Sequence, residues 1–201
     1  NNGTGSIPLN WSIGASSSLF DDFEGGSAPN PAIWSTIGSN QIFNGCYERS
    51  GIYALSMMGT NRTAETVSLN INAGDSVAMW VFPGNGGGSG CENPDGGEDL
   101  FVQYRLNGAS SWTTIGTIYN YFTGSQRYSF AIPQSGTMQV RLYQSNYTGS
   151  TFDHYRVDDF EIISNSAGSF IPTSGSLTSG DSIQTTGYLS TTGLVSGSYS
   201  R

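Results

Sequence analysis

Three acidic groups hold most of the reactive oxygen in this chain. Asp21-Asp22-Phe23-Glu24 stands near its start, Asp158-Asp159-Phe160-Glu161 near residue 160, and Glu92, Asp95, Glu98 and Asp99 follow Cys91 in a glycine-rich turn. In a strand, side chains two apart share a face, so each of the first two groups can present paired carboxylates. Calcium takes six to eight oxygen ligands, carboxylates and backbone carbonyls among them. Like charges this dense repel one another unless a cation intervenes. Asp21, Asp22, Glu24, Asp158 and Asp159 are therefore the expected metal ligands, with turn-capping and solvent-facing carboxylates as the competing reading. Glu92, Asp95, Glu98 and Asp99 form a possible second metal group. They lack the order of an EF-hand loop and also read as a solvated turn.

His154 is the single histidine, in Phe152-Asp153-His154-Tyr155. Asp–His adjacency suggests a proton-transfer dyad. No serine or cysteine stands in a nucleophile-elbow setting, so the histidine reads as structural. Paired carboxylates occur in any acidic chain and do not by themselves make a glycosidase. The expectation is a protein that is not an enzyme, with no catalytic residue.

Aromatic side chains beside amides and hydroxyls suit sugar rings and protein partners. Tyr119 and Tyr121 in Tyr119-Asn120-Tyr121-Phe122, and Tyr143 and Tyr147 in Tyr143-Gln144-Ser145-Asn146-Tyr147, are the expected ligand-binding residues. Ordinary packing in a sandwich is the alternative.

All seven basic residues are arginine and the net charge is −8. No basic stripe exists to neutralise phosphates, which argues against nucleic acid. No apolar run is long enough to span a bilayer. With two cysteines and one histidine, a zinc site on the cysteines is not expected. Cys46 and Cys91 read as a disulfide or as two buried thiols. A disulfide implies an oxidising compartment. Asn-x-Ser/Thr sequons at Asn2, Asn10, Asn61 and Asn146 allow glycosylation there. The chain opens on Asn1, which reads as a processed or trimmed start.

The elements that must hold these residues are strands. Gly, Ser, Thr and Asn dominate, aromatics make up 12% of the chain, and no helical repeat of ten residues occurs. Strands are expected over 19–24, 33–38, 53–58, 63–71, 77–82, 100–106, 112–118, 127–132, 138–143 and 157–163. Over 63–71, alternation places Ala64, Thr66, Ser68 and Asn70 on one face and Glu65, Val67, Leu69 and Ile71 on the other. Val77–Phe82 is apolar on both faces, as in a central strand. Asn107-Gly108 marks a hairpin turn. Short strands at this spacing make an all-β, antiparallel sandwich of the jelly-roll kind. Residues 1–18 read as an N-terminal arm, 19–163 as the jelly roll, and 164–201 as an extended Ser/Thr/Gly-rich segment studded with apolar residues, suited to pairing with a neighbouring subunit.

Several landmarks keep the order of a known family. Phe20-Asp21-Asp22-Phe23-Glu24, Cys46 with Ala54-Leu55, Cys91 to Leu100, Gln103 to Gly108, Trp112, and Phe152 to Phe160 together resemble a reelin-type repeat subdomain over about residues 19–163. The likeness to MAM and concanavalin-like sandwiches is looser. The resemblance implies a jelly roll with a structural calcium among Asp21, Asp22, Glu24, Asp158 and Asp159, and a disulfide on Cys46 and Cys91. Reelin repeats flank an EGF-like module, for which this chain has too few cysteines.

The expected function is a non-enzymatic binding or adhesion module, secreted or on a cell or virion surface, stabilised by calcium and a disulfide. Its partner would be a glycan or a protein surface. The alternative is a structural or decoration subunit of a virion, fibre or pilus, assembled with neighbouring copies through its terminal arms.

Overall fold

The structure, a computed structural model, describes residues 17–84, 92–146 and 153–165. Cys91, Tyr147 and the stretches 1–16 and 166–201, on which the arm and the subunit-pairing segment rest, lie outside the described residues. One compact unit runs from Ser16 to Asn165. Among the described residues there is no helix, and no helix long and apolar enough to cross a membrane.

Among the described residues, twelve strands form two antiparallel sheets. The strands are β1 (Ser17–Asp21), β2 (Trp34–Thr36), β3 (Gln41–Phe43), β4 (Ala54–Ser56), β5 (Thr63–Thr66), β6 (Leu69–Ile71), β7 (Ser76–Pro83), β8 (Leu100–Leu106), β9 (Thr113–Ile118), β10 (Gln126–Ala131), β11 (Gly136–Gln144) and β12 (Tyr155–Ile163). The first sheet has the order β10-β7-β12-β4-β3, with β1 paired to β12. The second has the order β2-β5-β11-β8-β9, with β6 paired to β11. The expected antiparallel sandwich is what forms. Its first and last strands are neighbours, with Asp21 opposite Phe160.

The core lies between the sheets. From the first sheet come Leu55, Val77, Met79, Val81, Val157 and Phe160, and from the second Val102, Tyr104, Met138, Val140 and Leu142, all buried. Val77 to Phe82 is buried at every position but Trp80, because β7 is central and covered on most of its length. Burying a side chain of this size stabilises the fold by roughly 1.5–3 kcal/mol.

Two local expectations change. The run 63–71 is two strands, not one, and its faces switch. Ala64 and Thr66 point into the core, then Ile71 does, while Ser68 and Asn70 are exposed. At the break Val67 donates its N–H to Ile33 O, while Val140 of β11 donates its N–H to the Thr66 hydroxyl. A one-residue slip of this kind exchanges the two faces of a strand. The second change is β3, an added strand whose Ile42 packs into the core. Three residues are too short for alternation to register.

Candidate binding face and acidic rim

The outer face of the second sheet is built by alternation. In β8 the inward residues are Leu100, Val102 and Tyr104, so Phe101, Gln103 and Arg105 face out. In β11 the inward residues are Met138, Val140 and Leu142, so Gln139, Arg141 and Tyr143 face out. The register sets Phe101 opposite Tyr143, Gln103 opposite Arg141, and Arg105 opposite Gln139. Arginine and glutamine thus alternate across the strand pair. Arg105 Nη2 donates to Gln139 Oε1 at 2.8 Å, and Arg141 Nε donates to Gln103 Oε1 at 2.6 Å.

Trp112, one residue before β9, lies over both arginines. The guanidinium carbons of Arg105 and Arg141 stand 4.4 and 4.3 Å from its ring centroid. Arg141 also lies 5.1 Å from the Tyr143 ring, which stacks beside Phe101 at 6.4 Å. Cation–π contacts of this kind stabilise a half-exposed pair by roughly 0.5–2 kcal/mol. The result is a strip of three aromatic rings and two cations, half-buried along its length. At the end of β9, the rings of Tyr119 and Tyr121 stack at 5.9 Å. They are 54% and 83% exposed, among the most open large side chains described.

Of the four tyrosines singled out in the sequence, Tyr119 and Tyr121 form one exposed pair and Tyr143 belongs to the strip. Tyr143 is a strand residue of β11, not a loop residue, so its ring is fixed by the sheet. Phe101, Trp112, Arg105 and Arg141 escaped the sequence reading. The alternation of Phe101, Gln103 and Arg105 against Leu100, Val102 and Tyr104 was the signal for Phe101 and Arg105, and that of Gln139, Arg141 and Tyr143 against Met138, Val140 and Leu142 the signal for Arg141.

The first acidic group splits by role. Asp21 is buried, and both its oxygens are used within the fold. Oδ1 accepts the Phe23 N–H at 2.9 Å and Oδ2 the Trp34 indole N–H at 2.7 Å. Asp22 Oδ1 accepts the Glu24 N–H. Glu24 Oε1 accepts the N–H groups of Ile52 and Tyr53 at 2.9 and 2.7 Å. A Cβ at residue 51 would meet the Glu24 carboxylate, and Gly51 has φ 58°, so glycine is favoured there.

Asp158 and Asp159 reach the same loop from β12. Neighbours on a strand ordinarily point to opposite faces. The pairing with β7 shifts register between Asp158 and Glu161, and Asp159 takes φ 48°. This bulge turns both carboxylates toward residues 49–50. Asp158 Oδ2 accepts from Arg49 N and Ser50 N at 2.7 and 3.1 Å, and its Oδ1 from Asp159 N. Asp159 Oδ1 accepts the Ser50 hydroxyl at 2.8 Å. Burial pushes the Asp158 carboxyl up, against three backbone N–H groups that pull it down. The rim therefore brings Glu24, Asp158 and Asp159 to one loop, residues 49–53, and engages Asp21 elsewhere. Among the described residues no group of three or more His, Cys, Asp or Glu side chains is arranged to hold a metal ion.

The second acidic group gathers around Asp153. Burial, then the charges of Glu98, Asp95 and Glu92, push its carboxyl up. Glu98 Oε2 accepts the Asp95 N–H, which makes the segment a capped turn. His154 is completely buried, and neither ring nitrogen has a hydrogen-bond partner among the described residues. Burial, helped by Arg156 and Arg62, lowers its pKa to about 4. It is neutral at pH 7 and out of reach of solvent, as expected of a structural histidine. There is no free cysteine among the described residues.

A model of the Reelin subrepeat B family matches residues 39–163. The chain belongs to that family. The structure is similar to the K3 cleaved adhesin domain of Lys-gingipain from Porphyromonas gingivalis, at 13% identity and a TM-score of 0.51, covering 75% of this chain and 99% of that one. It is similar to the K2 cleaved adhesin domain of Lys-gingipain at 12% identity and a TM-score of 0.50, covering 72% and 98%. These likenesses show a shared sandwich fold. A xylan-binding CBM22-1 domain from Paenibacillus barcinonensis is also matched, at 15% identity, a TM-score of 0.47, and coverage of 75% and 95%. No curated protein matches.

Proposed function

We propose that this Reelin subrepeat B domain is a non-enzymatic binding module that holds a glycan outside the cell on the outer face of its second sheet. One observation carries the reading. Phe101, Tyr143 and Trp112 stand half-exposed in a continuous strip on an open sheet face, with guanidinium and amide groups between them. Apolar ring faces flanked by hydrogen-bonding groups match the alternating C–H and hydroxyl surfaces of a sugar. A strip along strands suits an extended chain better than a single sugar. The adhesin and xylan-binding names of the matched structures agree with this reading.

The reading includes two staples. The first is a disulfide on Cys46 and Cys91, supported by Cys46 being disulfide-bonded in a chain with two cysteines. The second is a calcium ion on the acidic rim, supported by the convergence of Glu24 and Asp159 on the 49–53 loop. Each gives only one carboxylate oxygen to the hydrogen bonds described. Backbone carbonyls and water would complete the shell, and the ion would neutralise two carboxylates and fasten the loop.

The test is affinity electrophoresis of the whole chain through gels holding a panel of plant, bacterial and animal polysaccharides. The reading expects retardation by at least one of them, weakened tenfold or more in Trp112→Ala and unchanged in Ser129→Ala on the opposite sheet. Free migration through every gel would dismiss it.

A further inference from the structure

Six arginines fall within the described residues, and they divide sharply. Arg62 and Arg156 are completely buried. Arg127 pairs with Glu161, and Arg156 with Glu48. Arg49 lies over Trp80 of the first sheet. Arg105 and Arg141 remain, both on the strip and neither in an ion pair among the described residues. The carboxylate facing them from the next strand is Glu65, opposite Arg141 in the β5–β11 register, and it forms no salt bridge. Burial lowers the Arg141 pKa, Glu65 and Tyr143 raise it, and Arg105 lowers it again. Two like charges are held on one indole in a chain whose net charge is −8.

The amides around them are already engaged. Gln139 accepts from Arg105 and donates to Thr66 O at 3.0 Å. Gln103 accepts from Arg141 and donates to Thr114 Oγ1 at 2.9 Å. A guanidinium carries five N–H donors, and each of these two spends one on its glutamine. The strip thus offers spare donors and few spare acceptors. A neutral sugar hydroxyl both donates and accepts. A carboxylate or sulfate only accepts, and the arginine fork matches its geometry.

We infer that the outer face of the second sheet selects an anionic glycan, with Arg105 and Arg141 holding its carboxylate or sulfate while Trp112 and Tyr143 carry the sugar rings. This deepens the glycan-binding reading and rests on it. The donor-rich character of the strip and its two cations, neither in a salt bridge among the described residues, fit this ligand by charge.

The experiment compares matched charged and uncharged polymers by isothermal titration and affinity electrophoresis with the full chain. Polygalacturonate and alginate are each set against their methyl esters, and dextran sulfate against dextran. The expected result is binding to at least one charged member, at least tenfold weaker for its neutral counterpart and falling as salt rises to about 0.5 M. Arg105→Gln and Arg141→Gln should each lose about tenfold or more. Arg127→Gln, on the other sheet, should bind as the parent does. Dextran sulfate alone would name sulfate as the anion, and the uronates alone would name carboxylate. Equal binding of a charged polymer and its neutral partner, unmoved by either arginine substitution, would overturn the inference and leave the glycan reading standing. No retention by the neutral or the charged polymers would overturn both. Sedimentation covers a remaining occupant: an associated species of this chain that dissociates in Arg141→Gln, with polymer binding unchanged, would make the face a self-interface and also overturn it.

Discussion

Trp34 donates its indole N–H to Asp21 Oδ2 across 2.7 Å, and the bond joins strands of opposite sheets. The indole packs on Phe160 at a centroid distance of 4.9 Å and beside Phe23 at 6.0 Å. Asp21 also caps the turn after β1 through Phe23 N. One carboxylate therefore fixes the turn that starts the acidic rim and the aromatic group beneath it.

Asp21→Ala should cost about 2–4 kcal/mol, because it strands a buried indole N–H and a buried amide N–H together. Asp22→Ala should cost about 1 kcal/mol or less, since Asp22 is half-buried and supports one backbone N–H. Urea unfolding of both variants checks the order. Equal costs would mean that the bond to Trp34 contributes little.

How far all this was legible in the sequence varies by feature. The sandwich was legible because β7, β8 and β11 alternate or saturate with apolar residues over seven residues or more. The adjacency of β1 and β12 followed from the jelly-roll pattern. The division of labour among the rim acids was not legible. Asp21 differs from Asp22 only in which way it faces, and the paired reach of Asp158 and Asp159 depends on a bulge that breaks strand alternation. The arginine strip was hidden for a different reason. Its residues are separated in sequence, and the register of β8 against β11 brings them together.

Calcium removal should test the rim directly. If Glu24 and Asp159 hold an ion, a chelator lowers the melting temperature of the parent by several degrees. Glu24→Gln and Asp159→Asn should melt lower than the parent and stop responding to the chelator. A parent midpoint that does not move with chelator would remove the ion from the account, while leaving the hydrogen bonds of Asp158 to the 49–50 loop in place.

His154 gives the protein a defined acid response. Its pKa falls from 6.5 to about 4 on folding. A histidine held neutral by burial leaves the unfolded chain binding more protons between those values, so stability rises with pH across that window. The contribution is complete above about pH 6.5 and lost as pH falls through 4, a change of about 3 kcal/mol. Asp153 and Asp158, whose carboxyls are pushed up by burial, act in the opposite sense. The comparison must therefore be a difference between two proteins. His154→Leu should narrow the stability gap between pH 7 and pH 4 relative to the parent, read by urea unfolding at each pH. A gap of unchanged size would show that the imidazole is not kept neutral in the fold.

The two aromatic groups should separate in their effects. Trp112 lies against two guanidiniums at 4.4 and 4.3 Å, so removing it costs stability as well as ligand contact. Trp112→Ala should lose about 1–2 kcal/mol of folding free energy from the lost cation–π contacts. Trp112→Phe should recover most of that loss, because a phenyl face still attracts the cations, though less strongly than indole. Tyr121 is 83% exposed and touches little beyond Tyr119, so Tyr121→Ala should leave the melting temperature within a degree or two. Its effect on glycan retention then reports contact alone. If Tyr121→Ala weakens retention severalfold at unchanged stability, the ligand runs past Tyr143 to the end of β9. If only Trp112 and Tyr143 substitutions weaken it, the chain of sugars ends on the strip.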